Sequence, residues 1–179
     1  VGSPVHEEPL NFLEIGTGAG YMSILAVLNG VSHATCTDIN NNALENAKEN
    51  VIKHNIIDRI TIKYSDVFSA FNSSDKFDII FWNYPFGHIN KPVEELELLE
   101  RAVIDPFYRS LDKYLKYANE HLNPNKGRLF IGFSTTAGDQ QIFEQIAKNY
   151  NWNVNLRNEI KTDTNPVMQM GMYELTKIQ

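Results

Sequence analysis

The sequence predicts an α/β fold: a doubly wound, mostly parallel sheet with helices on both faces. Three observations carry this. Short apolar runs alternate along the chain with stretches of helical periodicity, the order that builds strand–helix–strand crossovers. The first apolar run, Leu10 to Ile15, passes at once into a glycine-dense turn and then into a helix. Polar residues suited to ligand contact (Asp38, Asp66 and Asn83) stand at the ends of the next runs, and ligands of such sheets sit at the carboxyl ends of the strands.

Each element has its own reason. Val1 to Pro9, with two prolines and two glutamates, reads as a linker, so the domain runs from 10 to 179. The chain opens on Val1 rather than methionine, as a processed product or a fragment would, and nine residues before the first strand leave no N-terminal recognition domain in this sequence. Four of the six residues from Leu10 to Ile15 are apolar, as a strand buried on both faces requires. Met22 to Leu28 forms the first helix, ended by Asn29-Gly30, and His33 to Ile39 a second strand. Asn40 to Asn42 offers caps for a helix with Ala43, Ala47 and Val51 on one face. Ile60 to Tyr64 and Phe77 to Trp82 are the third and fourth strands, the latter central because it is nearly all apolar. Pro92 to Leu122 is helical in pattern and broken by Pro106, with Leu96, Leu98 and Leu99 on one side of the first piece. Glu94, Glu95, Glu97 and Glu100 read as its solvated face. Phe107, Tyr108, Leu111, Tyr114, Leu115 and Ala118 have the spacing of core residues on the second piece. Arg128 to Phe133, Trp152 to Leu156 and Met168 to Thr176 complete seven strands, with a helix over Gln140 to Tyr150.

Composition bounds the function. With 42% hydrophobic and 21% charged residues the chain is a globular domain. No apolar run approaches the roughly 18 to 20 residues of a membrane span. A net charge of −6 disfavours generic binding to nucleic acid by this domain. Cys36, alone in the sequence, reads as an inert core thiol, and a reducing cytoplasm fits best. The five histidines lack metal-ligand spacing and there is no Cys-x-x-Cys, so no metal is expected.

The strand ends carry the chemistry. In Gly16-Thr17-Gly18-Ala19-Gly20 the third glycine comes one position early for a dinucleotide fingerprint, and Tyr21 stands where that pattern wants glycine. Glu14 suits a ligand bearing an ammonium group rather than a pyrophosphate. Asp38 lies about 20 residues beyond the turn, where a carboxylate can accept hydrogen bonds from both ribose hydroxyls; the competing reading is a helix cap. Asp66, in Ser65-Asp66-Val67-Phe68, can accept from an adenine amino group while Ile39 and Val67 sandwich the ring, or can itself be a cap. In Asn83-Tyr84-Pro85-Phe86 the Asn83 side-chain oxygen and a main-chain carbonyl near Tyr84 can accept both N–H groups of a planar nitrogen, with Phe86 stacked on the flat acceptor. A plain turn is the alternative, since Asn and Pro form turns. His88 could bond the acceptor, but reads more simply as a loop residue.

The run from Leu10 to Gly20 resembles motif I of the class I methyltransferases, which bind S-adenosyl-L-methionine (SAM). Asn83-Tyr84-Pro85-Phe86 is similar to the Asn-Pro-Pro-Tyr/Phe loop of methyltransferases that act on planar nitrogens, with Tyr84 in place of a proline. The resemblance extends through Asp38-Ile39, Asn42-Ala43-Leu44 with Ala47 and Asn50, Ser65-Asp66-Val67-Phe68, Tyr108-Arg109 and Gly127-Arg128-Leu129. It is closest to the small methyltransferase domain group that contains the release-factor glutamine methyltransferases. It implies a Rossmann-like sheet whose last strand is antiparallel, with SAM as cofactor. The acceptor it implies is a protein amide or a nucleobase exocyclic amine, borne by a protein or an RNA. Glu14, Gly16, Thr17, Gly18, Gly20, Asp38, Ile39, Asp66, Val67 and Asn83 would hold the cofactor. Asn83, Tyr84, Pro85 and Phe86 would present the acceptor. Tyr84 keeps open an oxygen or small-molecule acceptor, a SAM-binding module without activity is a third reading, and Tyr21 disfavours a nicotinamide oxidoreductase.

Overall fold

The computed structural model describes residues 8–85, 95–96, 100–163, 165 and 167–178. In chain order these form β1 (Asn11–Ile15), α1 (Tyr21–Leu28), β2 (His33–Asp38), α2 (Asn41–Lys53), β3 (Ile60–Tyr64) and β4 (Ile79–Asn83). There follow α3 (Glu100–Val103), α4 (Arg109–His121), β5 (Arg128–Ser134), α5 (Gln140–Asn149), β6 (Trp152–Lys161) and β7 (Gln169–Lys177). The seven strands lie in the order β3-β2-β1-β4-β5-β7-β6. β1 to β5 pair in parallel, while β7 runs antiparallel to both β5 and β6. Winding reverses at β1, which lies between β2 and β4. That is the switch point at which a ligand crevice opens in such sheets.

Alternation along each strand divides the core in two, as the pleat requires. Leu13, Ile15, Ile80, Trp82, Leu129, Ile131 and Phe133 pack with Leu111, Tyr114 and Leu115 of α4 and Phe143 of α5. Their neighbours Phe12, Phe81, Ala34 and Cys36 pack on the other face with Ile24 and Val27 of α1 and Val51 of α2. Cys36 is the core thiol the sequence predicts: burial pushes its pKa up to about 12, so it stays protonated and unreactive. Asn40 caps α2 through the Asn42 amide, and Asp139 caps α5 through the amides of Gln141 and Ile142.

Four expectations need correction. β4 begins at Ile79, not Phe77, because the Phe77 backbone pairs instead with His121 and Asn123 at the end of α4; in return the strand gains Asn83 as its last residue. β6 runs on to Lys161 because it pairs with the whole of β7, across a bulge between Leu156 and Asn158. Leu44, rather than Ala43, joins Ala47 and Val51 on the buried face of α2. Phe107 is 46% exposed rather than core. Its φ of +57° turns it out of the helical path, and the Arg109 guanidinium covers its ring instead. Of the predicted acidic helix, α3 and the buried Leu96 are described, whereas Glu94, Glu97, Leu98 and Leu99 lie outside the described residues.

Candidate active site

The glycine turn after β1 is held from beneath. Glu14 is buried, and its Oε2 accepts the Thr17 hydroxyl at 2.8 Å, the Ser23 amide at 2.9 Å and the Ser23 hydroxyl at 2.5 Å. One carboxylate oxygen thus ties the start of the turn to α1 beyond it. Burial pushes the Glu14 carboxyl above its usual pKa, while those donors pull it back. The Thr17 amide donates to the Thr37 carbonyl at 2.8 Å, fastening the turn to β2. Gly16 has φ +62°, and a Cβ there would lie 2.7 Å from Trp82 Nε1, so only glycine lets the turn pass over the β4 side chain. Gly20, at φ +81°, lies against Ala47 of α2.

Above the turn lies a cavity of about 410 Å³ whose walls are the strand ends: Ile15, Gly16 and Gly18 at the end of β1, Asp38 and Ile39 at the end of β2, Asp66 and Val67 after β3, and Trp82, Asn83 and Pro85 at the end of β4. Ile104, Asp105 and Ser110 close its far side. Asp38 accepts the Gly18 amide at 2.9 Å on Oδ2 and the Asn40 amide at 2.9 Å on Oδ1, which aims its carboxylate along the rim. Val67 holds φ +53°, an unusual backbone for a β-branched residue. Its carbonyl accepts the Ser65 hydroxyl at 2.8 Å, and the Asp66 amide donates to Ser69 Oγ at 2.9 Å, so the turn is pinned on both sides. The Lys113 ammonium of α4 holds the Asp66 carboxylate at 2.5 Å.

At the end of β4, Asn83 pairs in register with Gly132 of β5. A Cβ on Gly132 would lie 2.8 Å from Asn83 Oδ1, so this glycine is what leaves the Asn83 side chain its space. Pro85 reaches the cavity. The Tyr84 side chain does not; the group expected beside the acceptor is a main-chain carbonyl near it. Tyr84 is 1% exposed, and its hydroxyl donates to Asp105 Oδ2 at 2.8 Å. The pleat explains this, since consecutive residues point to opposite faces.

The strand ends therefore bring together Gly16, Gly18, Asp38, Ile39, Asp66, Val67, Asn83 and Pro85. Glu14, Thr17 and Gly20 do not line the cavity and act on the turn instead. Phe86 and His88 lie outside the described residues. Sequence reasoning did not reach Trp82, Ile104, Asp105, Ser110 or Gly132. Only Asp105 carried a signal, as an Asp before the Pro that opens a new helical segment.

Residues 6–165 match the family model described as a methyltransferase domain. The chain belongs to that family. The methyltransferase domain is 34% identical over 177 residues to the bifunctional methyltransferase of Rickettsia typhi, covering 93% of this chain and 33% of that protein. It is 33% identical over 117 residues to a putative protein N5-glutamine methyltransferase of Methanocaldococcus jannaschii, with 58% of this chain and 55% of that one covered. The chain spans about a third of the length of the bifunctional relatives it matches. Among solved structures, the ribosomal protein L11 methylase of Lactobacillus delbrueckii subsp. bulgaricus superposes with a TM-score of 0.67 at 17% identity, over 98% of this chain and 73% of that one. TrmK of M. capricolum, in complex with S-adenosyl-homocysteine, gives a TM-score of 0.67 at 17% identity, over 98% and 65%. The sheet is thus that of the class I methyltransferases, antiparallel last strand included.

Proposed function

We propose that this domain transfers a methyl group from S-adenosyl-L-methionine to a planar nitrogen, with a protein amide as the acceptor class. The observation that carries the reading is Asn83: it ends β4 on the wall of the cavity, beside the glycine turn, in space that Gly132 leaves for its amide. SAM fits the residues present. Gly16 brings bare backbone to the cavity where a Cβ would strike the Trp82 ring, the Asp38 carboxylate stands on the cavity wall, and Ile39 and Val67 offer two apolar surfaces for a ring. Bound there, SAM supplies a methyl group on a sulfonium, already an excellent leaving group.

The chain's own residues then have an orienting task. Asp38 would accept from the ribose hydroxyls and Asp66 from the adenine amino group. Glu14, Thr17 and Gly20 shape the turn, and the Glu14 carboxyl beneath it would favour an ammonium group on the ligand. An amide nitrogen is a weak nucleophile because its lone pair is delocalised. Asn83 Oδ1 and a main-chain carbonyl near Tyr84 would accept its N–H groups and orient its electron density for transfer, with Pro85 on the wall of the cavity. Alignment of this kind supplies about 7 to 11 kcal/mol in favourable cases.

A neutral amide suits the walls better than a phosphate-bearing acceptor. Among the described residues lining the cavity, three are aspartates and none is basic, and the chain carries a net charge of −6. Tyr84, the reason to consider an oxygen acceptor, keeps its side chain in the core, so that departure from the motif adds no hydroxyl at the acceptor. The test is incubation with methyl-labelled SAM and, in parallel, glutamine-bearing peptides, total RNA and small phenols and carboxylates, followed by mass analysis. Label on a peptide amide nitrogen supports the reading. Label on RNA or on oxygen overturns the acceptor class, and SAM binding without transfer to any of them favours a module without activity.

A further inference from the structure

We propose that Asp105 is a positioning residue for this reaction: through Tyr84 it sets the end of β4 and so the direction in which Asn83 points. The proposal rests on the reading of Asn83 given above and adds a residue that acts on it. Residue 84 has no ring constraint on its backbone, unlike Pro85 beside it. Its side chain supplies the constraint instead. The Tyr84 ring stacks between Tyr108, 6.3 Å away and 9° from parallel, and Phe133, 5.7 Å away and 18° from parallel, while Trp82 meets it edge-on at 5.1 Å. A ring so enclosed has one polar atom to satisfy, and its hydroxyl donates to Asp105 Oδ2 at 2.8 Å.

Asp105 is itself fixed. It is 3% exposed, and it accepts the amides of Ser110, at 3.0 and 2.9 Å on its two oxygens, and of Leu111 at 2.9 Å. Those amides open α4, where a carboxylate is favoured by the helix dipole. Its Oδ2 thus gathers Tyr84 and the first turn of α4, while Oδ1 accepts the Ser110 amide. The chain between them is strained: Phe107 and Tyr108 both hold positive φ, at +57° and +55°. Such a backbone persists only where surrounding contacts over-determine it. The Tyr108 hydroxyl makes one of these contacts, accepting the Asp139 amide at 2.6 Å at the start of α5. Two helix starts and one strand end are thereby locked around the acceptor side of the cavity, which Asp105 also lines. Asn83 follows directly, because Tyr84 is its neighbour in the chain and the Tyr84 amide donates to the Gly132 carbonyl at 3.0 Å.

Tyr84→Phe keeps the stacked ring and removes the tether. Trp152→Phe is the control: it removes another buried hydrogen bond, from Trp152 Nε1 to the Leu115 carbonyl at 2.8 Å, at the start of the edge strand β6. Two readouts apply to both variants. In amide NMR spectra of the free protein, the Asn83 side-chain resonances, assigned with Asn83→Ala, should broaden or split in Tyr84→Phe and stay sharp in Trp152→Phe. With methyl-labelled SAM and a glutamine-bearing peptide, Tyr84→Phe should lower kcat about tenfold with SAM affinity within about twofold, as expected for loss of alignment rather than binding. In an Asn83→Ala background, Tyr84→Phe should cost nothing further, because the two act as one unit. Sharp Asn83 resonances in Tyr84→Phe, a kcat loss no larger than that of Trp152→Phe, or additive losses in the double variant would each overturn the proposal. If Asn83→Ala itself turns over the peptide at the wild-type rate, the reading of Asn83 fails, and the NMR result still decides whether the tether sets the end of β4.

Discussion

Asp66 and Lys113 stand 47 positions apart in the sequence, yet their carboxylate and ammonium meet at 2.5 Å. The pair joins the turn after β3 to helix α4 across the rim of the cavity. Both side chains are more than a third exposed, at 37% and 47%, and exposed pairs of this kind contribute about 0.2 to 1 kcal/mol. Lys113→Met should therefore move Tm by no more than about 3 °C. Its effect on the cofactor should be larger in proportion, because one Asp66 oxygen is held in place by the pair. Calorimetry should show SAM affinity weakened about two- to fivefold, an effect that added salt reproduces in the wild type by screening. Equal affinity in the variant would mean that Asp66 needs no restraint.

Asp38 should matter far more to the cofactor than Asp66. Its carboxylate already accepts the amides of Gly18 and Asn40, one on each oxygen. Removing it loosens the turn and deletes the proposed acceptor of the ribose together. Loss of a pair of hydrogen bonds to an ionised group costs about 2 to 4 kcal/mol, so Asp38→Ala should raise the SAM Kd about 30- to 700-fold. An unchanged Kd by calorimetry would remove Asp38 from the site.

Glu14 gives a pH signature of definite sign. Its carboxyl pKa is raised from 4.5, first by burial. The folded state therefore holds the proton more tightly than the unfolded chain does. That contribution to stability is complete below about pH 4.5 and is lost as pH rises through the folded-state value. Gln at this position retains a carbonyl oxygen for the donors from Thr17 and Ser23 but cannot ionise. Urea titrations should show Glu14→Gln gaining stability relative to wild type as pH rises from 4.5 toward neutrality, then levelling off. A difference that is flat or falls with pH would mean that the three donors outweigh burial.

The sequence exposed one end of the sheet far better than its neighbourhood. Asp38, Asp66 and Asn83 were readable because each follows an apolar run, and a parallel sheet gathers all such positions on one edge. The count and order of elements followed from the same alternation. What it could not convey was long-range choice. Nothing local says that Lys113 will reach Asp66, that Asp105 will bond a tyrosine 21 positions earlier, or that Gly132 will sit opposite Asn83. Helical spacing placed Phe107 in the core, but spacing assumes the backbone that its φ of +57° abandons. The loop motif does not say where the Tyr84 side chain goes, and the pleat assigns it to the core.

Gly132 offers the most selective test of the chemistry. A Cβ there would lie 2.8 Å from Asn83 Oδ1 and 3.7 Å from Asn83 Cα. The atom in the way is the far end of a flexible side chain, so Gly132→Ala can be accommodated by rotating Asn83 out of its place at small cost to folding. Gly132 has no positive φ to lose, and alanine in a strand interior restricts the unfolded chain more than glycine does. Tm should thus stay within about 3 °C of wild type. SAM binding, for which the proposed contacts of ribose and adenine lie after β2 and β3, should change less than about twofold. Turnover should fall about a hundredfold, toward the level of Asn83→Ala, because an interaction made mainly in the transition state is lost. Asn83→Asp keeps oxygens that accept from an amine and should retain more activity than either variant. Wild-type turnover in Gly132→Ala, with Asn83 shown by NMR to have moved, would make Asn83 a turn former and nothing more.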